Sequence, residues 1–518
     1  MPSPYANQPI TLPSDNPSMI ININRKEKRL TRALNNANSY AEWKGIASEL
    51  DHLGGLDDWK ATDESHDYNF ILIRDRLHKL RQLRERGDIR ELVFWLHEGL
   101  HGNIGNLANN CLYGHANLGT KNLITDYIYE LCAALNYLGS NDFPDFPLAE
   151  KIKFFKRLGI VFGRSALMLS GGATMGMWHI GVVKALHEQN ILPRVMSGSS
   201  AGSIIAGAIG VTRDDNLSNF YDPEYIYLHA FRAFGIKDAL KNRSFMDSSH
   251  LQSCLQENIG EMTFEEAFEH TGRILNITVS PVEKNQQPRL LNYLTAPNVL
   301  IRQASLASCS IPAIFPPATL LAKDYHGKVV PYLPSMKWAD GSLKSDLPRL
   351  RLSRLFDVNH YIVGQTNPHV VPFLQLENYM QEKGWTSPLE GVIGSTLRVN
   401  GEHLLSRASQ RYKGTTAGTA LNGLNTLLRQ NYRGDITLIP KFRMQSFARL
   451  ISNPTPTDIA NFMLAAERQT WPRIEQIRNS TIVSNTIDEC LKQLKTQAKQ
   501  QPAGIKSVAT SINSKKIG

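Results

Sequence analysis

One stretch, from Arg164 to Val211, constrains the fold more than any other: RSALMLSGGATMGMWHIGVVKALHEQNILPRVMSGSSAGSIIAGAIGV. A short apolar run, Ala166 to Leu169, ends in the glycine pair Gly171-Gly172. Apolar residues then recur at helical spacing from Gly176 to Glu188. A second apolar run, Arg194 to Met196, meets Gly198-Ser199-Ser200-Ala201-Gly202, and the small, apolar run Ser203 to Gly210 follows. The order is strand, glycine turn, helix, strand, sharp turn, buried helix. Strands separated by helical crossovers build an α/β core.

The sharp turn reads G-x-S-x-G. On a strand-to-helix elbow, the central Ser200 is forced into a strained conformation that presents its Oγ. Gly198 and Gly202 flank it where strand and helix approach too closely for side chains. A serine nucleophile also needs a base and donors for the developing oxyanion. Gly171 to Gly176 is the candidate for the donors, because it follows a strand and opens a helix, where backbone N–H groups point outward. It lacks the third glycine of a dinucleotide fingerprint and the GK[ST] of a P-loop. The base is not fixed by pattern. His179 lies inside a helix and reads as a packing or hydrogen-bonding residue. Asp340, at the end of an irregular segment and before Gly341, is open to two readings: a turn residue, or a carboxylate acting directly on Ser200.

The rest of the 518 residues frames this stretch. Residues 1–24, rich in Pro, Ser and Asn, read as disordered. Residues 25–160 read as a helical region, with helices over 29–37, 40–53, 68–86, 89–100, 121–138 and 149–158. Asp88 is placed to cap the fourth of these. His52 and Asp57 match a His-x4-Asp acyltransferase spacing, but Gly54-Gly55 between them marks a helix end. After the elbow, an aromatic segment holds Phe220, Tyr221, Tyr225, Tyr227, Phe231 and Phe234, the wall of an acyl site or an ordinary helical excursion. Thr263-x-x-Glu266 is a capping box. Strands are predicted over 274–282 and 290–294, a rigid turn at Cys309 to Pro317, a helix over 349–356 and a terminal strand over 360–364. The catalytic region is bounded as 161–375. Beyond it, 376–496 reads as mostly helical with one strand at 435–440, and 497–518 as a basic disordered tail.

No run of eighteen apolar residues appears, and the N-terminus has no charged segment followed by an apolar one, so neither a membrane span nor a signal peptide is predicted. The net charge of +10 is spread along the chain, and no nucleic-acid-binding motif accompanies it. The five cysteines are scattered without metal-ligand spacing and read as buried thiols in a reducing, cytoplasmic setting.

These motifs together resemble the patatin-like phospholipases. The glycine loop Gly171 to Gly176, the elbow Gly198 to Gly202 and the pair Asp340-Gly341 match in the family's order, and Ser310 to Pro317 resembles its proline turn. His101 to Asn106 and His179 to Leu186 resemble segments of its triacylglycerol-lipase branch, which carries a helical N-terminal region. The resemblance implies a three-layer α/β/α core with helical N- and C-terminal regions. It implies Ser200 as nucleophile, Asp340 as proton acceptor in a dyad, and the amides of Gly171, Gly172 and Ala173 as oxyanion hole. No metal or cofactor is implied. The implied activity is that of a serine acyl-hydrolase acting on glycerolipids, triacylglycerol first, at a membrane or lipid-droplet surface. A phospholipase A, a lysophospholipase, a lysolipid acyltransferase and a catalytically inactive lipid-surface protein are the alternatives, and protein partners are unknown. Many family members read Asp-Gly-Gly-Gly-x-Arg-Gly at the loop. Here Ser170, Ala173 and Met175 replace the first Asp, the third Gly and the Arg, which favours a neutral substrate over an anionic head group.

Overall fold

Seven strands form one mixed sheet in the computed structural model of the chain, which describes residues 17–226, 246–283, 286–311, 314–341, 346–368, 370–372, 374–375, 432–441 and 452–500. In chain order the described strands are β1 (Arg164–Leu169), β2 (Val195–Gly198), β3 (Ile274–Pro281) and β4 (Arg289–Leu291), then β5 (Leu321–Lys323) and β6 (Val329–Pro331), which form a separate two-stranded sheet, and finally β7 (Trp338–Asp340), β8 (Val358–Gly364) and β9 (Ile436–Leu438). The sheet runs β4-β3-β2-β1-β8-β9, with β7 also on β3. The pairs β1/β2, β2/β3 and β8/β9 are parallel, whereas β4 and β7 run antiparallel to β3. The strands β1 to β3 are buried almost throughout, which suits the near-continuous apolar runs of a parallel sheet covered on both faces. The α/β core with helical regions on either side in sequence is therefore as expected.

The chain divides into two compact units whose boundaries differ from the sequence reading. One comprises Met1–Lys44, Ala166–Phe356 and Tyr361–Pro472; the other comprises Gly45–Ser165, Asp357–His360 and Arg473–Gly518. In the first unit, β8 is not terminal, because β9 pairs alongside it through Ile362 and Ile436. The helix Pro456–Thr470 packs on the helix Trp178–Glu188. A Cβ on Gly181 would stand 2.1 Å from the carbonyl oxygen of Met463, so that close crossing requires glycine. The helix Pro17–Asn36 also belongs here, and it begins inside the stretch read as disordered. The helices Ala201–Val211, Ser248–Ile259, Phe264–Thr271 and Ile301–Ser308 pack around one another beside β2 and β3. Thr263 caps the third of these in a complete capping box.

The second unit is helical. The helices Phe70–Arg86, Asn122–Ser140, Leu148–Phe162 and Ile474–Gln500 close on a core that includes Leu80, Ile124, Leu135, Phe155 and Ile487, all fully buried. The last of these, Ile474–Gln500, packs on Asn122–Ser140 and Leu148–Phe162, so part of the region read as 376–496 shares a core with helices of the region read as 25–160. It also runs past residue 497, where the basic tail was expected to begin. Asp88 caps Ile89–Gly99 as predicted. The ammonium of Lys121 is buried, donates to the carbonyls of Trp59 and Thr62 at 2.7 and 2.8 Å, and lies 4.3 Å from the Trp59 ring centre. His52 is exposed and its Nδ1 sits 2.9 Å from Asp57, across a helix end where Gly55 takes φ 69°. That geometry is the helix end marked by the glycine pair. Four cysteines are buried, and Cys111 is exposed, against expectation. Tyr227, Phe231, Phe234 and all of 376–431 lie outside the described residues.

Candidate active site

Ser200 stands at φ 50° and ψ −126°, between the end of β2 and the start of the helix Ala201–Val211. An L-residue adopts such a conformation only when its surroundings impose it. Here two glycines do so. A Cβ on Gly198 would lie 2.4 Å from the carbonyl oxygen of Gly202, and a Cβ on Gly202 would lie 2.2 Å from that of Leu169. The Ser199 amide donates to Leu169 at 3.1 Å, and the Ser200 amide donates to the hydroxyl of Ser308 at 2.9 Å. That hydroxyl donates in turn to the carbonyl of Thr278 on β3, at 2.8 Å. The elbow is thus tied to both neighbouring strands.

The sheet register places Asp340 opposite the elbow. Gly198, the last residue of β2, pairs with Ile277 of β3. Two residues further along β3, Val279 pairs with Arg289 of β4 on one edge and with Asp340 of β7 on the other. A strand has two edges, so β7 occupies the edge that β2 leaves when the chain turns at Ser200. It enters that lane head-on, with Asp340 leading. Two strand residues span about 7 Å. Asp340 is therefore a strand residue, correcting the irregular segment read there, and it is buried. Its amide donates to Ser310 at 3.0 Å, and a Cβ on Gly341 would lie 2.2 Å from the Thr278 carbonyl oxygen. Burial first, then the charge of Asp340, pushes the Cys309 thiol up, while hydrogen bonds with Ser203 and Ser200 act in the opposite direction.

The glycine loop runs from the end of β1 into a short 3-10 turn, Ala173–Met177. Ala173 has φ 50°, a conformation glycine adopts more readily. The Gly171 amide, one of three expected to face an oxyanion, donates instead to the carboxylate of Asp346 at 3.2 Å. The second carboxylate oxygen accepts from Asn367 at 2.5 Å. Asp346 is buried, and that burial raises its pKa to about 7 against the opposing bond from Gly171; the charge of Asp340 adds to the rise. The Gly171 carbonyl accepts from the hydroxyls of Ser170 and Thr366, both at 2.9 Å. His179 supports the loop as a hydrogen-bonding residue. Its Nε2 lies 3.0 Å from the Ser170 carbonyl, and burial lowers its pKa to about 4, so it is neutral and donates from Nε2. Ser308, Asp346 and Thr366 were not read as site residues from sequence. Each acts across more than a hundred residues, beyond the reach of a local pattern.

An apolar slot opens on Ser200. Met177, Ile204, Leu251, Ile311, Ile314 and Phe315 line it, and no charged side chain does so among the described residues. A larger polar cleft bounded by Arg213, Asn219, Glu257 and His270 does not include Ser200. Among the described residues no cluster of His, Cys, Asp and Glu fits a metal ion.

Two family models match the chain: a domain of unknown function (DUF3336) over residues 20–159 and the patatin-like phospholipase domain over residues 167–352. The triacylglycerol lipase ptl3 of Schizosaccharomyces pombe is 35% identical over 86% of this chain and 93% of its own length. The chain belongs to the patatin-like phospholipase family. Two further relatives are the triacylglycerol lipase SDP1L of Arabidopsis thaliana, 31% identical over 92% of this chain, and triacylglycerol lipase 4 of Saccharomyces cerevisiae, 36% identical over 89%. The matches span only 61% and 52% of those two proteins. The patatin-like model covers Ser200, Asp340 and the glycine loop, but not Thr366.

Proposed function

We propose that this patatin-like protein is a serine acyl-hydrolase of neutral glycerolipids, with triacylglycerol as its leading substrate. The observation that carries the reading is the entry of β7 into the lane vacated by β2, which brings Asp340 to the elbow of Ser200. Ser200 Oγ attacks the ester carbonyl carbon and its proton passes to Asp340. The amides of Gly172 and Ala173 hold the tetrahedral oxyanion, Gly171 being engaged by Asp346. Collapse breaks the ester bond, and Asp340 returns the proton to the departing glyceride oxygen. Water then attacks the acyl-enzyme, giving up a proton to Asp340 as it adds, and the fatty acid leaves as Ser200 regains its hydrogen.

The apolar slot supports a long acyl chain, and the absence of charge along its described wall fits a neutral ester better than an anionic one. The lipase names of the relatives support the same substrate class. Such a substrate places the enzyme at a lipid surface. No helix among the described residues is long and apolar enough to cross a membrane.

The test uses the full chain with triacylglycerol, phospholipid and lysolipid emulsions side by side, plus a fluorophosphonate probe. Fatty acid release is expected to be fastest from triacylglycerol. Ser200→Ala is expected to abolish labelling and to lower hydrolysis by about 10³-fold or more. Full activity in that variant overturns the assignment, and preferential release from phospholipid overturns the substrate class.

A further inference from the structure

The Gly171–Gly172 peptide group is held more tightly than a loop needs to be. Its carbonyl oxygen accepts from two buried hydroxyls, those of Ser170 and Thr366. Both protons are directed there by their own acceptor bonds. The Thr366 amide donates to Ser170 Oγ at 2.8 Å, which leaves the Ser170 proton to point at Gly171. The one Nε2–H of His179 is shared between the Ser170 carbonyl at 3.0 Å and Thr366 Oγ1 at 3.2 Å, so the Thr366 oxygen accepts there and keeps its own proton for Gly171. In a trans peptide the carbonyl and the following N–H point in opposite directions in one plane. Fixing the Gly171 oxygen therefore fixes the Gly172 N–H, aimed away from the two hydroxyls. The fit is close: a Cβ on Gly172 would lie 2.3 Å from Thr366 Oγ1.

We propose that Thr366 is a positioning residue for acyl transfer: together with Ser170 it orients the Gly172 amide toward the oxyanion. The proposal rests on the reading of Ser200 as nucleophile. Neither hydroxyl touches the substrate; each acts through the peptide plane. A donor held by two hydroxyls needs no reorientation when charge develops on the substrate oxygen, which is the condition for effective electrostatic stabilisation.

The experiment compares Thr366→Val, which keeps the shape and removes the hydroxyl, with Thr366→Ser, which keeps the hydroxyl. Kinetics on a soluble p-nitrophenyl ester and the rate of fluorophosphonate labelling are measured in both, with thermal melting as the control for folding. Thr366→Val is expected to lower kcat and the labelling rate by roughly 10-fold to 100-fold, below the loss from deleting an oxyanion donor outright. KM is expected to stay within about two-fold, since the interaction strengthens only in the transition state. Thr366→Ser is expected to recover most of the loss. A wild-type kcat in Thr366→Val, a change confined to KM, or an equal loss in Thr366→Ser overturns the proposal. Should Thr366→Val fail to fold, Ser170→Ala removes the other hydroxyl, and an unchanged kcat there overturns it. Ser200→Ala separates the two levels: persistent labelling in that variant sinks the nucleophile reading, whereas its loss alongside a normal Thr366→Val sinks only the positioning role.

Discussion

The backbone amide of Ser200 donates to the hydroxyl of Ser308, 108 residues later in the chain. Because Ser308 also donates to Thr278, the elbow is tied through one hydroxyl to the strand that carries Asp340 as its neighbour. Ser308→Ala leaves a buried N–H and a buried carbonyl without that partner. The loss is expected at about 1–3 kcal/mol, read as a lower melting temperature. Hydrolysis is expected to fall together with it, because the strained φ of Ser200 loses one of its restraints. A stability loss with undiminished kcat would show that the elbow holds itself.

Glycine at the elbow is a packing requirement. Gly202→Ala sets a methyl group against the Leu169 carbonyl oxygen, at a distance of 2.2 Å without movement. Backbone must shift on β1 or on the helix, at a cost of about 1–3 kcal/mol or more. Chemical denaturation is expected to show this loss, and fluorophosphonate labelling is expected to slow more than melting alone explains.

Two buried groups give the stability opposite pH dependences. His179 has its pKa lowered from 6.5 to about 4 by burial. The unfolded chain therefore takes up a proton first as pH falls, and stability is lost between about pH 6.5 and 4, by roughly 3 kcal/mol at most. Asp346 has its pKa raised from 3.8 to about 7, so its contribution is complete below about pH 4 and is lost as pH rises through 7. Melting curves at pH 5 and pH 8 separate the two. Asp346→Asn is expected to gain stability relative to the wild type at pH 8 and little at pH 4. His179→Gln, which keeps a donor for the Ser170 carbonyl, is expected to flatten the acid side of the profile. Parallel pH profiles in all three proteins would contradict both assignments.

On the proposed reading, the slot beside Ser200 limits acyl length. Ile204→Trp adds a large side chain to its wall and is expected to reduce hydrolysis of long-chain esters by about ten-fold or more, while short-chain esters lose far less. Rates over a series of p-nitrophenyl esters check this. An equal loss at every chain length would place the acyl chain elsewhere.

Some elements were legible in sequence because their signals are local. The helices Tyr40–Leu53 and Arg349–Phe356 begin and end where their periodicity does, and the capping box at Thr263 is built from neighbours three residues apart. The elbow belongs with them, since two glycines and three small residues suffice to define it. The glycine loop was only half legible. Its position follows from the strand before it, but the capture of the Gly171 amide by Asp346 depends on a contact 175 residues distant. The role of the C-terminal segments was hidden for the same reason. Pro456–Thr470 and Ile474–Gln500 carry ordinary helical patterns, and nothing in a pattern says that the first packs with the α/β sheet unit and the second with the helical unit. The three residues of β7 are too few to show a period, so a strand was read as a turn.

That short strand has a consequence for how the chain tolerates change. Trp338 is completely buried, and it exchanges two backbone hydrogen bonds with Ala318, so β7 is pinned at its entrance. Between these anchors lies the β5–β6 hairpin, whose tip carries Tyr325 and Gly327 in solvent. Lengthening the hairpin there leaves the alignment of Asp340 untouched, whereas inserting one residue between Trp338 and Asp340 turns the carboxylate to the opposite face of the sheet. Tolerance of insertion in this part of the chain therefore changes abruptly, from permissive at the hairpin tip to forbidding at β7.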